Sequence, residues 1–387
     1  MKRALDLVRR CEAHPSRARA EAEAFGGQAG PFPLMEGDTA CFFFLDRTLL
    51  PESVALVHWV FGLESRQPFR RVPGTDAWIL SIELPHGARI EYKLELTFRD
   101  GSRTWVADPR NPHRAFDPFG SNSVCRMTGY QDPPWVLPEP GAREGALENF
   151  TIASAAFGDN RTVTVYTPAE YKRHKKYPLL VCHDGDDYLK YSALKTVLDN
   201  LIHRKEVRPL VVAMTSGHRR NEEYAANPTQ ARFVAEELLP AVTARYGVSD
   251  KLDDRGIMGA SFGGVTSLFT AWSYPGIFGR LLLQSGSFAF TDIGRHDRGP
   301  LWDPVVAFVN QLRAEPSRLV SRRIYMSCGQ FESLIYYTRS LAPLLRAAGH
   351  DLRFVESRDG HNWIGWRDRL REGLTTLFPG HLWMVYD

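Results

Sequence analysis

The chain has 387 residues, 43% of them hydrophobic, and a formal net charge of +3 from 48 basic and 45 acidic side chains. That length suits two domains, and the apolar fraction excludes global disorder. Charges of both signs are mixed along the chain, which excludes the concentrated basic face of a nucleic-acid binder.

Residues 1–30 begin MKRALDLVRRCEAHPSRARAEAEA and read as a helical leader, either an amphipathic helix or a frayed one. Asp6, Arg9 and Arg10 interrupt any apolar run there, so no secretory signal is expected, and no later stretch is long enough to span a membrane. The five cysteines are widely spaced and odd in number, which speaks against a disulfide framework or a zinc ribbon. A cytoplasmic location is expected.

Residues 31–130 change texture. Short alternating runs at 41–46, 54–61, 77–84, 89–98 and 103–108 predict strands, and Asp100-Gly101 between the last two predicts a hairpin. Strands at this spacing, with little helical periodicity, predict a small β-sandwich. Residues 131–145, QDPPWVLPEPGAREG, read as a Pro/Gly-rich linker.

From 146 to 387 strands alternate with helices, the pattern of a mostly parallel, doubly wound sheet covered on both faces. Strands are predicted at 149–155, 162–168, 177–185, 209–215, 280–287, 323–329 and 352–357, with helices at 191–203, 229–245 and 333–348. Between them Gly259-Ala260-Ser261-Phe262-Gly263 follows an apolar run and precedes a helix-like stretch. A strand turning sharply into a helix exposes its serine and points the next amide where an oxyanion would form.

Reactive groups of doubly wound sheets gather at the carboxyl ends of strands. Ser261, Glu332 and His361 each follow such an end, in the chain order nucleophile, acid, base of the α/β-hydrolases. Ser261 is thus the expected nucleophile, His361 the general base and later acid, and Glu332 the carboxylate that orients the imidazole. Asp359 and Glu356 stand as alternative acids. Activity is expected to rise with pH as the base loses its proton.

The backbone amides of Phe262 and Asp186 are the expected oxyanion donors, with Gly185 allowing the turn that exposes Asp186. The carboxylates near Asp186 lack the register of a calcium loop, and no metal or cofactor is expected. Arg219 and Arg220 could grip an anionic substrate, or merely pair with Glu222 or Glu223 on a solvated loop. Trp363 could wall an aromatic-accepting pocket, although core packing is the commoner use of tryptophan.

At these residues the chain resembles the esterase D-like α/β-hydrolases, and within them the enterochelin (ferric enterobactin) esterase-like branch. The resemblance is carried by YPLLVCHDGDDY, RNEEY at 220–224, AEELLPAVTARYGV, GASFGG, WSYPGIFGRLLLQSGSF and DGHNWIGWRDRL. It implies an α/β-hydrolase fold with Ser261, Glu332 and His361 as triad. It also implies an immunoglobulin-like domain ahead of it, which YKLELTFRDGSRTWVADPRNP at 92–112 fits. The expected function is a serine esterase with a small-molecule ester as partner, a ferric siderophore trilactone being the favoured candidate. A feruloyl- or acetyl-type carboxylesterase is the alternative within the same chemistry. A non-catalytic carbohydrate-binding protein is the alternative outside it.

Overall fold

A computed structural model describes residues 2–28, 30–46, 48–291 and 297–380. Met1 of the expected leader and residues 381–387 of the last expected segment lie outside the described residues. The chain forms two units. The first holds residues 1–131 together with Gln330–Glu332 and Arg358–Asn362, and the second holds the rest.

In the first unit, helices α1 (Lys2–Ala13) and α2 (Ala18–Gln28) precede ten strands among the described residues. Strands β1 (Leu34–Glu36), β2 (Thr39–Leu45), β5 (Arg70–Arg71) and β6 (Ala77–Glu83) form one sheet in the order β1-β2-β6-β5. Strands β3 (Ser53–His58), β4 (Arg66–Pro68), β7 (Arg89–Thr97), β9 (Arg114–Asp117) and β10 (Gly120–Arg126) form the other, in the order β4-β3-β7-β10-β9. Strand β8 (Arg103–Val106) pairs with β7, and every pairing is antiparallel. The turn joining β7 to β8 is the Asp100-Gly101 pair, with Gly101 at φ 79° and the Asp100 carboxylate accepting from the Ser102 amide.

Phe42, Phe44 and Trp78 from one sheet share a core with Leu56, Tyr92 and Leu94 from the other. The opposite face of β2 is covered as well: Cys41 and Phe43 pack with Leu7 and Val8 of α1 and Phe25 of α2. A strand buried on both sides reads as a continuous apolar run, and this accounts for the unbroken CFFFL of β2. The leader is therefore two helices seated on a sheet, not a frayed end.

The second unit begins with a segment anchored by side chains. Val136 is buried in a core, Asn200 donates to the carbonyls of Trp135 and Leu137, and the Asp199 carboxylate accepts from the amide of Gly145. Among the described residues its eight strands are β11 (Ala146–Ser154), β12 (Asp159–Thr167), β13 (Leu179–His183), β14 (Val211–Thr215), β15 (Arg255–Ala260), β16 (Arg280–Gln284), β17 (Arg323–Gly329) and β18 (Asp351–Ser357). They lie in the order β11-β12-β14-β13-β15-β16-β17-β18. β11, β12 and β14 pair antiparallel, and all pairs from β14 to β18 are parallel.

Successive residues of the central strands feed opposite faces, as a pleat requires. Ile257, Leu281 and Ile324 join one core and Met258, Leu282 and Tyr325 the other. The helices are α3 (Gly185–Tyr191), α4 (Leu194–His203), α5 (Arg220–Tyr224), α6 (Pro228–Arg232), α7 (Leu239–Arg245), α8 (Phe262–Ser273), α9 (Asp303–Ala314), α10 (Ile335–Ala347) and α11 (Trp363–Leu377). α8, α9 and α10 serve the first core, and α4 and α11 the second.

The helix expected over 229–245 is divided, with a π-helical stretch at Phe233–Leu238 between α6 and α7. Pro240 has no N–H for the carbonyl one turn back, and a widened turn absorbs that loss. Among the described residues no helix is long and apolar enough to cross a membrane.

Candidate active site

In the second unit, β15 ends at Ala260 and α8 starts at Phe262, leaving Ser261 alone at the corner with φ 57° and ψ −123°. A non-glycine residue there is strained and must be held by its surroundings. Its amide donates to the Gln284 carbonyl at 3.0 Å, and its carbonyl accepts from the amides of Gly264 and Ser287 at 3.1 and 3.2 Å. Gly259 makes the corner possible, because a Cβ there would lie 2.4 Å from the Gly263 carbonyl. The Ser261 hydroxyl stays partly exposed and lies 3.3 Å from the Ser287 Oγ. Ser287 was not anticipated, although its place just beyond the end of β16 is the signal that could have found it. The Phe262 amide opens α8, and the first amides of a helix have no acceptor within it.

The loop after β13 differs from expectation in detail. Asp184, not Gly185, takes the left-handed conformation, with φ 56°. Gly185 is needed for space instead, since a Cβ on it would meet the Met214 Cβ at 2.2 Å. The Asp186 amide belongs to the first turn of α3, and its carboxylate accepts from the Ser216 hydroxyl at 3.1 Å.

Two residues expected at the substrate have partners within the protein. Arg220 grips the buried Asp184 with both branches, at 2.7 and 2.6 Å. Burial still holds the Asp184 carboxyl above its usual range, with Arg220 opposing. Trp363 is 8% exposed and packs edge-on against Tyr188 and Trp366 inside a core. An arginine or tryptophan near a sheet edge looks the same in sequence whether it waits for a ligand or serves a distant neighbour. Arg219 lies on the solvated side and pairs with Glu222 at 3.2 Å.

In the first unit lie the loops that carry the expected acid and base. Glu332 comes shortly after β17 ends at Gly329, and His361 shortly after β18 ends at Ser357. The Glu332 carboxylate is buried, and its Oε2 sits 2.5 Å from the His361 Nδ1. That contact fixes which ring nitrogen faces the acid and leaves Nε2 to exchange protons. The alternative acids are otherwise engaged. Glu356 is held by Arg339 through two contacts of 2.7 and 2.6 Å. Asp359 faces Arg89 and Asn362 and accepts from the Gly360 amide. Burial lifts the Asp359 carboxyl to about 6, while Arg89 and the hydrogen bonds pull the other way. Among the described residues no group of His, Cys, Asp and Glu is arranged to hold a metal ion.

A strained serine followed by a helix-opening amide, and an imidazole held by a buried carboxylate, are the parts that acyl transfer uses. Residues 154–377 match the Esterase family, described as "Putative esterase". Over 349 residues the chain is 27% identical to the iron(III) enterobactin esterase of Escherichia coli O6:H1, covering 81% of this chain and 83% of that one. The iron(III) enterobactin esterase of Dickeya dadantii is 25% identical over 350 residues, covering 81% and 80%. Among solved structures, a ferric enterobactin esterase from Salmonella typhimurium superposes with a TM-score of 0.76 at 22% identity, over 91% of this chain and 97% of that chain. That likeness shows a shared fold, the α/β-hydrolase type. The family match spans more than half of the chain, so this protein belongs to the Esterase family and is a carboxylic ester hydrolase.

Proposed function

We propose that this esterase cleaves the ester bonds of a siderophore trilactone of the enterobactin kind through an acyl-enzyme on Ser261. The observation that carries the chemistry is the 2.5 Å contact between His361 Nδ1 and buried Glu332. The substrate class is supported by the two enterobactin esterases that align with about four-fifths of the chain.

In this reading Ser261 Oγ attacks the ester carbonyl while His361 Nε2 takes its proton. The Phe262 and Asp186 amides stabilise the oxyanion, and Glu332 stabilises the imidazolium. The tetrahedral intermediate collapses, the imidazolium protonates the departing alkoxide, and the acyl group stays on Ser261. A water activated by the same imidazole then releases the acid. Arg219, as a solvent-facing cation on the loop after β14, is the side chain proposed to meet an anionic substrate.

The two antiparallel sheets with a joint core support an immunoglobulin-like sandwich over 31–130, preceded by a helical leader over 1–30. A linker over 131–145 and a catalytic domain over 146–387 complete the proposed division. All five cysteines are buried and none is joined in a disulfide, which suits a reducing compartment, the cytoplasm.

The test compares kcat/KM for ferric enterobactin and for methyl ferulate, with wild type and Ser261→Ala side by side. Enterobactin is expected to be preferred, and Ser261→Ala to lose roughly a thousandfold or more in kcat on either ester. A preference for methyl ferulate overturns the substrate, and retained turnover in Ser261→Ala overturns the mechanism.

A further inference from the structure

His361 and Glu332 sit on short loops whose sequence neighbours belong to the second unit, yet both loops group with the first. The amide of Phe61 donates to the Phe331 carbonyl at 2.7 Å, and the Phe331 ring packs on the core between the two sheets. The amide of Arg89 donates to the Arg358 carbonyl at 2.9 Å, and the Phe331 amide ties the two loops together through the Asp359 carbonyl at 3.1 Å.

The side chain of Arg89 goes further. It is 1% exposed, and it carries one guanidinium into a site with two carboxylates. One branch, Nη2, contacts Glu91 at 2.7 Å on its own strand. The other, Nη1, reaches Asn362 Oδ1 at 3.0 Å and both oxygens of Asp359 at 3.2 Å. His361 lies between these two residues in the chain. Asp359 Oδ1 also accepts from the Gly360 amide and the Asn362 side chain, each at 2.7 Å, so the backbone on both sides of the histidine is fixed.

We propose that Arg89 is a positioning residue for the esterase: clamping Asp359 and Asn362, it holds the His361 loop in the register that keeps the imidazole on Glu332. This rests on His361 being the base. A planar fork with fixed donor directions can serve Glu91 and the loop at once, which a lysine cannot. Displacing a general base by even about 1 Å costs rate more than binding.

The experiment uses the full chain with p-nitrophenyl butyrate, reading kcat and KM separately. The proton NMR signal of the His361 Nδ1–H is followed in parallel and is assigned by its loss in Glu332→Gln. Arg89→Met is expected to lower kcat roughly 10- to 100-fold with KM within about twofold, and to weaken or move that signal. Arg89→Lys should recover part of the loss. Leu94→Ala, five residues beyond Arg89 on β7 with its side chain in the core between the sheets, controls for general weakening of the unit: its melting temperature should fall while kcat holds. If Arg89→Met does not fold, the deficit of Arg89→Lys decides.

The proposal is overturned by wild-type kcat and an unmoved signal in folded Arg89→Met, or by an Arg89→Lys indistinguishable from wild type. It is overturned equally by a Leu94→Ala that loses kcat in proportion to its stability. Retained turnover in Ser261→Ala would instead strike the proposed mechanism, and the NMR signal would still report whether Arg89 holds the pair.

Discussion

His183 is a buried histidine in a place where charge is costly. It is fully covered, and neither ring nitrogen finds a hydrogen-bond partner among the described residues. Its ring lies against Tyr224, and Asp184 and Arg220 are the charged groups nearby. Burial first, then the Arg220 cation, pushes its pKa down to about 3. An unfolded chain takes up a proton on this ring near 6.5, whereas the folded one does not until about 3. The unfolded state therefore binds more protons between those values, and stability falls as pH drops through that window. From pH 8 to pH 5 the loss from this residue is about 2 kcal/mol. His183→Leu should remove that share, so its urea midpoint should gain on wild type as pH falls; a constant difference across the range would refute this. Asp359 has the opposite sign, because burial, helped by the nearby Glu91, raises its pKa from 3.8 to about 6 against the pull of Arg89, Asn362 and the Gly360 amide. Its contribution is complete below about 3.8 and is lost as pH rises through 6. Asp359→Asn should accordingly gain on wild type between pH 4 and pH 7, a trend that urea titrations at the two values would show.

The elbow joins β15 to α8 through a contact that tolerates no extra atom. Gly259 faces the Gly263 backbone so closely that Gly259→Ala must push α8 away from its strand or rotate Ser261 off its corner. Either change relaxes the strained serine, so kcat should fall by roughly 100-fold or more, while stability drops by about 1–3 kcal/mol. Kinetics on a simple ester and a thermal melt would check both, and unchanged kcat would mean the corner is not strained into function. Much of this element was legible in the sequence, because small residues around one serine between an apolar strand and a helix leave few other geometries. The alternation of the central strands and the Asp100-Gly101 hairpin were legible for the same local reason. What local pattern could not supply was the partner of a side chain. Arg220 and Asp184 lie 36 positions apart, and nothing in RNEEY tells that the first arginine is already bound. Helix α9 escaped notice too, because Gly299-Pro300 and Pro304 around its start read as turn signals.

At the scale of the molecule, the chain divides where its sequence does not. Strands β17 and β18 belong to the second unit, while the loops that follow them are held by residues some 270 positions earlier. Chain order suggested Glu332 and His361 from strand ends alone, but gave no sign that Phe61 and Arg89 fix those loops. A consequence follows for partial unfolding. Contacts that keep Glu332 on His361 are part of the first unit's own stability, so in the proposed mechanism opening that unit should abolish turnover while β15 and α8 are still formed. Leu94 is fully buried in the first unit's core, and Leu94→Ala should weaken that unit by about 2–5 kcal/mol. In a urea titration followed by hydrogen exchange, the variant's activity midpoint should move with the protection of peptides over Arg89–Thr97. Protection over Arg255–Ser273 should move less, because Leu94 belongs to the first unit's core and that segment to the second unit. An activity midpoint that stays with Arg255–Ser273 while Arg89–Thr97 shifts would mean that the acid–base pair survives without the first unit's support.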